Sequence, residues 1–165
     1  MRGERLFPLA SFCFPLLLYV LTLAPTVLEG DSAEYQLVTN ALGIAHTTGY
    51  PLYTMLGWLF TRLVPLGDGA YRINLFSALM SAGALTMLYA LLRELAVSRP
   101  LSVLTACLLA VSSAYWGYST IAQTYPLNWL LLGFVLFRVL RWSRQPSQRH
   151  LIWLAFSYGL ALTHH

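Results

Sequence analysis

Lysine is absent from the 165-residue sequence, and all ten basic residues are arginines. Charge of either sign is scarce, because charged residues make up 10% of the chain, apolar residues 58%, and the mean hydropathy is +0.62. A chain of this composition needs lipid rather than water around it. The net charge is +4, but the arginines flank hydrophobic runs and form no basic stripe, which argues against nucleic-acid binding.

Cysteine is also rare. Cys13 and Cys107 each lie inside an apolar run, where a thiol usually acts as a small hydrophobe, and they define no disulfide framework. A metal site built from His46, His164, His165 and a carboxylate is conceivable, but no local ligand spacing supports it. We therefore expect no metal and no other cofactor.

The hydrophobic runs predict an all-α fold, a polytopic bundle of transmembrane helices. A spanning helix needs about 20 apolar residues, and the predicted spans are about 6–28, 73–92, 101–118, 125–142 and 151–165. The first run exceeds the usual apolar core of a signal peptide and lacks a small-residue cleavage site, so it is interpreted as a retained anchor. Because the last run is short, we expect residues 1–165 to be a single membrane domain and the N-terminal fragment of a larger protein.

The placement of arginine predicts an orientation. If the spans alternate, eight of the ten arginines fall on one side of the membrane: Arg2, Arg5, Arg93, Arg99, Arg138, Arg141, Arg144 and Arg149. Positive residues favour the cytoplasmic side. We therefore expect a multi-pass protein with a cytoplasmic N-terminus and an outer loop over residues 29–72.

The outer loop holds three of the six acidic residues within a few positions of one another: Glu29, Asp31 and Glu34. Two short interfacial helices are predicted in it, over Ser32–Leu42 and within Pro51–Pro65. Asp31 stands at the expected N-cap of the first, and Asp31-x-x-Glu34 has the form of a capping box. Helix capping is therefore one interpretation of this acidic pair.

Helical geometry favours a second interpretation for Glu34. At 100° per residue Glu34 lies on the apolar arc with Leu37, Val38 and Ala41, opposite the polar side formed by Ser32, Gln36, Thr39 and Asn40. A carboxylate on such an arc needs a partner and is expected to be harder to ionise. Ionisable groups held at a membrane are candidates for function.

Four motifs carry a resemblance to a known family. They are G-D-S-x-E at 30–34, H-x-x-G-Y-P-L-Y at 46–53, R-x-N-L-x-S-A at 72–78 and Q-x-Y-x-L-N at 123–128. Together they resemble a bacterial and animal membrane family related to protein O-mannosyltransferases, within the GT-C superfamily of glycosyltransferases. The chain departs from the family pattern at Gln123, where an acid is expected.

The resemblance implies transfer of a sugar, with mannose as the candidate, from a polyprenyl-phosphate donor to a protein or glycan acceptor on the outer side of a membrane. We expect this membrane to be the bacterial plasma membrane. The implied partners are thus membrane lipid, the lipid-linked donor and the acceptor. Asp31 is the expected base, Glu34 supports it, and Arg72 and His46 neutralise the donor phosphate. Further substrate-binding residues implied are Tyr50, Asn74, Tyr125, His164 and His165.

A non-enzymatic protein is the alternative, either a transporter or a lipid-binding subunit in which Glu34 and Arg72 line a polar path. Arg72 is otherwise a snorkelling anchor at the end of a span, and His46 an ordinary loop residue. A transporter keeps its ionisable groups at the membrane midplane, whereas these residues occupy a loop. The position of these residues in a loop therefore favours glycosyl transfer over transport.

Overall fold

The computed structural model describes residues 6–164, and within them every regular element is an α-helix. In chain order the helices are α1 Leu6–Leu21, α2 Asp31–Ala41, α3 Pro51–Leu63, α4 Gly69–Glu94, α5 Arg99–Ala110, α6 Ser113–Ser119, α7 Tyr125–Arg144 and α8 Gln148–Leu162. The predicted all-α class is confirmed. His165, Arg2 and Arg5 lie outside the described residues.

Helix α4 is the centre of the fold and packs against α1, α2, α3, α5, α6 and α7. Its most buried face carries small residues, since Ser77, Ala78, Ser81 and Ala82 are all fully buried. Small side chains let neighbouring helix backbones approach closely, which is the usual packing device of helices in lipid. Among its neighbours, the long helix α7 packs against α4 most extensively.

One helix, α4, is long and apolar enough by itself to cross a membrane, and α5 with α6 forms a second candidate if the pair is taken as one bent span. This test covers the described residues only. Large apolar side chains nevertheless project outward from several helices, among them Leu9, Leu17, Leu104, Leu136 and Ile152. Outward-facing apolar surface of this kind is unusual for a protein in water.

Two of the predicted spans differ from the observed helices. The run 6–28 is helical only to Leu21, because Pro25 disfavours helix and the Ala24 N–H instead donates to the carbonyl of Thr120 at 3.0 Å. The run 101–118 is broken near Ser112 and bends by 72° between α5 and α6.

The bend between α5 and α6 has a structural cause in the hydrogen bonds of α6. The Tyr115 hydroxyl donates to the carbonyl of Ser81 at 2.8 Å, and the Trp116 indole donates to the Thr22 hydroxyl at 2.9 Å. These bonds tie α6 to α4 and to the end of α1. An uncharged apolar run contains no signal for such a break.

The two helices predicted in the outer loop exist and are packed against the bundle. Helices α2 and α3 contact each other and α4, and their side chains share one core with α4 and α7. Tyr53 of α3 and Ile73 of α4 are fully buried in that core. The loop therefore forms a fixed layer over one end of α4.

Helix α2 buries part of both predicted faces, because Val38 of the apolar arc packs in the core while polar residues are buried as well. Its polar residues Ser32, Gln36 and Thr39 are buried, whereas Leu37, on the predicted apolar arc, is 69% exposed. The polar residues face inward because they form hydrogen bonds with side-chain and backbone groups inside the bundle. The exposed apolar side chains of α2 and the following loop are left for lipid or for further protein.

Candidate functional site

Helix α2 begins at Asp31, and its N-cap is Gly30, whose φ of 70° lies in the region that favours glycine. No side chain caps the helix. The predicted capping role of Asp31 and the capping box with Glu34 are therefore wrong, because the turn at Gly30 starts the helix one residue earlier. Asp31 lies exposed in the first turn, where the helix dipole favours a negative charge.

Glu34 uses both of its carboxylate oxygens to hold His46. Oε1 accepts from the backbone N–H of His46 at 2.6 Å, and Oε2 lies 2.8 Å from the imidazole Nδ1. Since a carboxylate can only accept, the Nδ1 proton is assigned to the imidazole. This pair closes the loop 42–50 onto the first turn of α2.

These hydrogen bonds set the ionisation of Glu34. Its pKa is lowered, chiefly by the bond from the His46 side chain and then by the bond from the His46 backbone. The expectation that Glu34 is harder to ionise is therefore wrong. Desolvation raises the pKa of Glu34 by less than these bonds lower it, because the carboxylate is partly exposed. An ionised, doubly bonded Glu34 suits positioning better than proton transfer.

Tyr35 lies at the centre of an aromatic cluster behind the Glu34–His46 pair. It is 3% exposed, and its ring lies 5.6 Å from that of His46, 5.8 Å from Tyr50 and 5.5 Å from Tyr53. Burial raises the pKa of Tyr35, so its hydroxyl stays protonated. That hydroxyl lies 3.4 Å from Nε2 of His46, the remaining acceptor of the ring.

The end of α8 returns to the same cluster. His164 is almost fully buried, and its Nε2 lies 3.1 Å from the carbonyl of Thr124. Its ring lies 5.9 Å from that of Tyr50, which adopts a left-handed conformation at the N-cap of α3. Three predicted site residues, His46, Tyr50 and His164, thus meet although His164 is far from the other two in sequence.

A pair of buried amides fixes α2 beneath this surface. The Gln36 amide donates to Oδ1 of Asn74 at 2.9 Å, and the Asn74 amide donates to the carbonyl of Ala24 at 2.8 Å. The Gln36 side chain also bonds, at longer range, to the backbone of Thr26 and Leu28. The predicted site residue Asn74 is fully buried, so its observed contacts are structural.

A second set of polar contacts joins α2 to the loop before α7. The Ser32 hydroxyl donates to the carbonyl of Ala122 at 3.0 Å and accepts from the Gln123 amide at 3.4 Å. The Gln123 backbone N–H donates in turn to the Ser77 hydroxyl at 3.2 Å. Gln123, where the family pattern places an acid, therefore contacts the helix that carries Asp31.

Two other predicted site residues lie apart from the cluster. Arg72 donates to the carbonyls of Thr61, Leu66 and Gly67, and these bonds stabilise the turn after α3. His46 and Tyr50 precede the other end of α3, and a helix of 13 residues is about 20 Å long. The Tyr125 ring lies 4.8 Å from that of Tyr118 at a tilted angle and stacks with that of Trp129.

No group of three or more histidine, cysteine or acidic side chains is arranged for a metal in the part of the chain that the structure describes. The acidic and histidine residues of the cluster pair with each other and with backbone instead. That the site needs no metal stays a prediction.

Sequence reasoning missed Tyr35 and Gln36, which occupy the centre of the site and its support. Both follow Glu34 directly, inside the stretch that carries the resemblance. The feature that could have identified Gln36 is the polar face of α2, which has more polar residues than a helix packed on apolar spans usually carries. Taken as buried, that face would have predicted partners such as Asn74.

We predict that Glu34→Gln loosens the loop over residues 42–50. The hydrogen bonds from His46 lower the pKa of Glu34 in the folded state. The ionised Glu34 therefore stabilises the fold fully above the ordinary carboxyl pKa of about 4.3, and this stabilisation is lost as the pH falls through the lowered pKa of the folded state. At neutral pH, amide hydrogen exchange in the loop should therefore rise several-fold in the variant. The wild type should lose this protection only in acid.

Glu29→Gln is the matched control, because Glu29 is exposed and precedes α2. Exchange rates, corrected for their intrinsic dependence on pH, should be the same in this control as in the wild type. Equal protection in Glu34→Gln and wild type at neutral pH would show that the bonds between Glu34 and His46 do not hold the loop.

Comparison with known proteins adds to this geometry. The mouse protein O-mannosyl-transferase TMEM260 is 32% identical over 157 residues, which cover 93% of this chain and 22% of the mouse protein. The Dictyostelium discoideum protein O-mannosyl-transferase tmem260 is 26% identical over 123 residues, which cover 73% of this chain and 15% of that protein. No solved structure matches the chain.

The chain thus spans less than a quarter of the length of these curated relatives. Residues 31–165 match the family described as the protein O-mannosyl-transferase TMEM260 N-terminal domain. That match begins at Asp31 and includes all four motifs on which the resemblance rests, apart from Gly30. The O-mannosyltransferase-like family expected from the sequence is confirmed. The chain belongs to the family of the TMEM260 N-terminal domain of protein O-mannosyl-transferases.

Proposed function

We propose that this chain is the N-terminal part of a membrane glycosyltransferase that transfers a sugar, mannose being the expected one, from a polyprenyl-phosphate donor to a protein or glycan hydroxyl on the outer side of the membrane. The observation that carries the proposal is the exposed Asp31 at the start of α2, beside the fixed Glu34–His46 pair. The names of the two relatives support the class of reaction.

In this reaction Asp31 accepts the proton of the acceptor hydroxyl. The acceptor oxygen forms a bond to the anomeric carbon while the bond from that carbon to the donor phosphate oxygen breaks, and polyprenyl phosphate leaves with the electron pair. A positioned carboxylate base contributes about 10²–10⁴-fold to such a step. Glu34 acts through His46, whose ring it orients toward the aromatic cluster.

The leaving phosphate needs hydrogen-bond donors and positive charge. The ring of His46 lies beside Glu34 in the first turn of α2, whereas Arg72 lies beyond the far end of α3 and donates to three backbone carbonyls there. Arg72 is therefore a weaker candidate for the donor phosphate than His46. The same placement disfavours a transporter in which Glu34 and Arg72 line one path.

A lipid-linked donor also needs an apolar path. A cavity of about 420 Å³ lies between α4, α6 and α7 and is lined almost wholly by apolar and aromatic side chains, including Leu85, Tyr115, Tyr118 and Trp129. The Tyr118 ring contacts that of Tyr125, which follows the loop that bonds to Ser32 of α2. A prenyl chain in this cavity would thus approach the α2 end of the bundle.

The membrane orientation rests on the two ends of the bundle. Glu94 at the end of α4 pairs with Arg141 and Arg144 at the end of α7, so these charges share the end opposite to α2. By the positive-inside rule this end is cytoplasmic. Placement in a bacterial plasma membrane and a cytoplasmic N-terminus stay predictions.

We predict that single cysteines at Thr47 and Ser147, in a chain with Cys13 and Cys107 replaced by serine, label from opposite sides of the membrane. Thr47→Cys should react with an impermeant maleimide added outside, and Ser147→Cys only after the membrane is opened. Both residues are exposed, so access is not limited by packing. Labelling of both from the same side would remove the proposed geometry.

We predict that Asp31→Asn in the full-length protein lowers sugar transfer by about 10²-fold or more, because the base is lost. Asp31 makes no capping bond, so the variant should lose only its small charge–dipole stabilisation, and its thermal unfolding temperature should change little. Transfer is measured from a radiolabelled polyprenyl-phosphate sugar to acceptor protein. Glu29→Gln, which removes a nearby exposed carboxylate, is the matched control and should keep normal transfer. Near-normal transfer by Asp31→Asn would refute the assignment.

A further inference from the structure

The arginine-rich end of the bundle contains a pocket that the proposed reaction does not use. It has a volume of about 340 Å³ and lies between the last turns of α7 and the first turns of α8. Its lining is Phe137, Arg138, Arg141, Arg149, His150 and Trp153. Three guanidinium groups and an imidazole thus converge on one cavity that no acidic side chain lines.

The positive charge of this pocket is only partly compensated. Arg141 pairs with Glu94 through Nε at 2.9 Å, and the same glutamate reaches Arg144, outside the pocket, at 3.7 Å. Within residues 6–164, Arg138 and Arg149 form no ion pair. At least one unit of positive charge therefore faces the cavity without a partner.

Arg138 is held in place and is partly removed from water. Its guanidinium lies 5.3 Å from the centre of the Trp153 ring, and its Nε is buried without a hydrogen-bond partner. A buried guanidinium nitrogen that lacks a partner is costly, and a partly desolvated guanidinium attracts an anion more strongly than a solvated one does. An arginine whose only role was to set the membrane orientation by its positive charge would extend into water instead.

His150 adds a third kind of contact. Its Nδ1 lies 2.9 Å from the carbonyl of Gln145, which assigns the proton to Nδ1 and leaves Nε2 as the second ring nitrogen. Arginine forks match the oxygens of a phosphate group in a bidentate manner, and an imidazolium adds a further donor.

We propose that this pocket binds a phosphate group, with Arg138 and Arg149 as its main ligands and His150 as a third. The group belongs either to the headgroup of an anionic membrane lipid or to a soluble phosphate. The site lies at the end of the bundle opposite to Asp31, so it is separate from the proposed transfer site.

The test uses the full-length protein in phosphatidylcholine nanodiscs and measures its thermal unfolding temperature. One arm adds inorganic phosphate, and the other replaces part of the phosphatidylcholine by phosphatidylglycerol, with native mass spectrometry to count the retained phosphatidylglycerol. A shift with phosphatidylglycerol alone assigns a lipid headgroup, and a shift with inorganic phosphate alone assigns a soluble ligand. A shift with both means that the phosphate is recognised whatever carries it.

Arg149→Gln should weaken, by about tenfold, the binding of whichever of the two ligands shifts the wild type. This is the effect of losing one charged hydrogen-bonding partner. Arg144→Gln is the matched control, because it removes the same charge one turn beyond the pocket, and it should bind like the wild type. Arg138→Gln should weaken binding at least as much; if that variant does not fold, Arg149→Gln decides.

Two results would overturn the proposal. The first is that neither ligand raises the unfolding temperature of the wild type. The second is that Arg144→Gln weakens binding as much as Arg149→Gln, because the arginines would then act only through their total charge.

Discussion

The hydrogen bond between the buried amides of Gln36 and Asn74 is the constraint on which the rest of the site depends. It joins α2 to the central helix α4, and the two side chains also bond the backbone that leads out of α1. In an apolar protein such groups are costly unless they are satisfied, so the pair specifies one docking of α2. That docking places Asp31 and Glu34 at the surface and Tyr35 beneath them.

The bundle thus has two chemically different ends. At one end an acidic helix, a histidine loop and an aromatic cluster form a surface suited to proton transfer and phosphate departure. At the other end of the described part, arginines lie around Glu94 and line a cavity. A lipid-linked substrate reacts at one membrane face, so this separation agrees with the proposed class of reaction. The remaining length of the relatives leaves room for the acceptor site.

Much of the fold was predictable, because apolar periodicity and length define helices, and α2 and α3 were found close to their predicted bounds. The break between α5 and α6 was not, since it depends on the partners of Tyr115 and Trp116. The inward polar face of α2 was missed for the same reason. Patterns show which residues share a face, but whether that face is buried depends on a partner such as Asn74, distant in sequence.

The most direct test of this account is a double-mutant cycle on Gln36→Leu and Asn74→Leu, read from the free energy of opening of α2 by native-state amide hydrogen exchange. Each single substitution leaves a buried amide without its partner, so each should lower the protection of α2. If the pair holds the site, the two effects should be non-additive, with a coupling of about 0.5–3 kcal/mol. Strictly additive effects, or unchanged protection of α2, would contradict the claim that this bond positions Asp31 and Glu34.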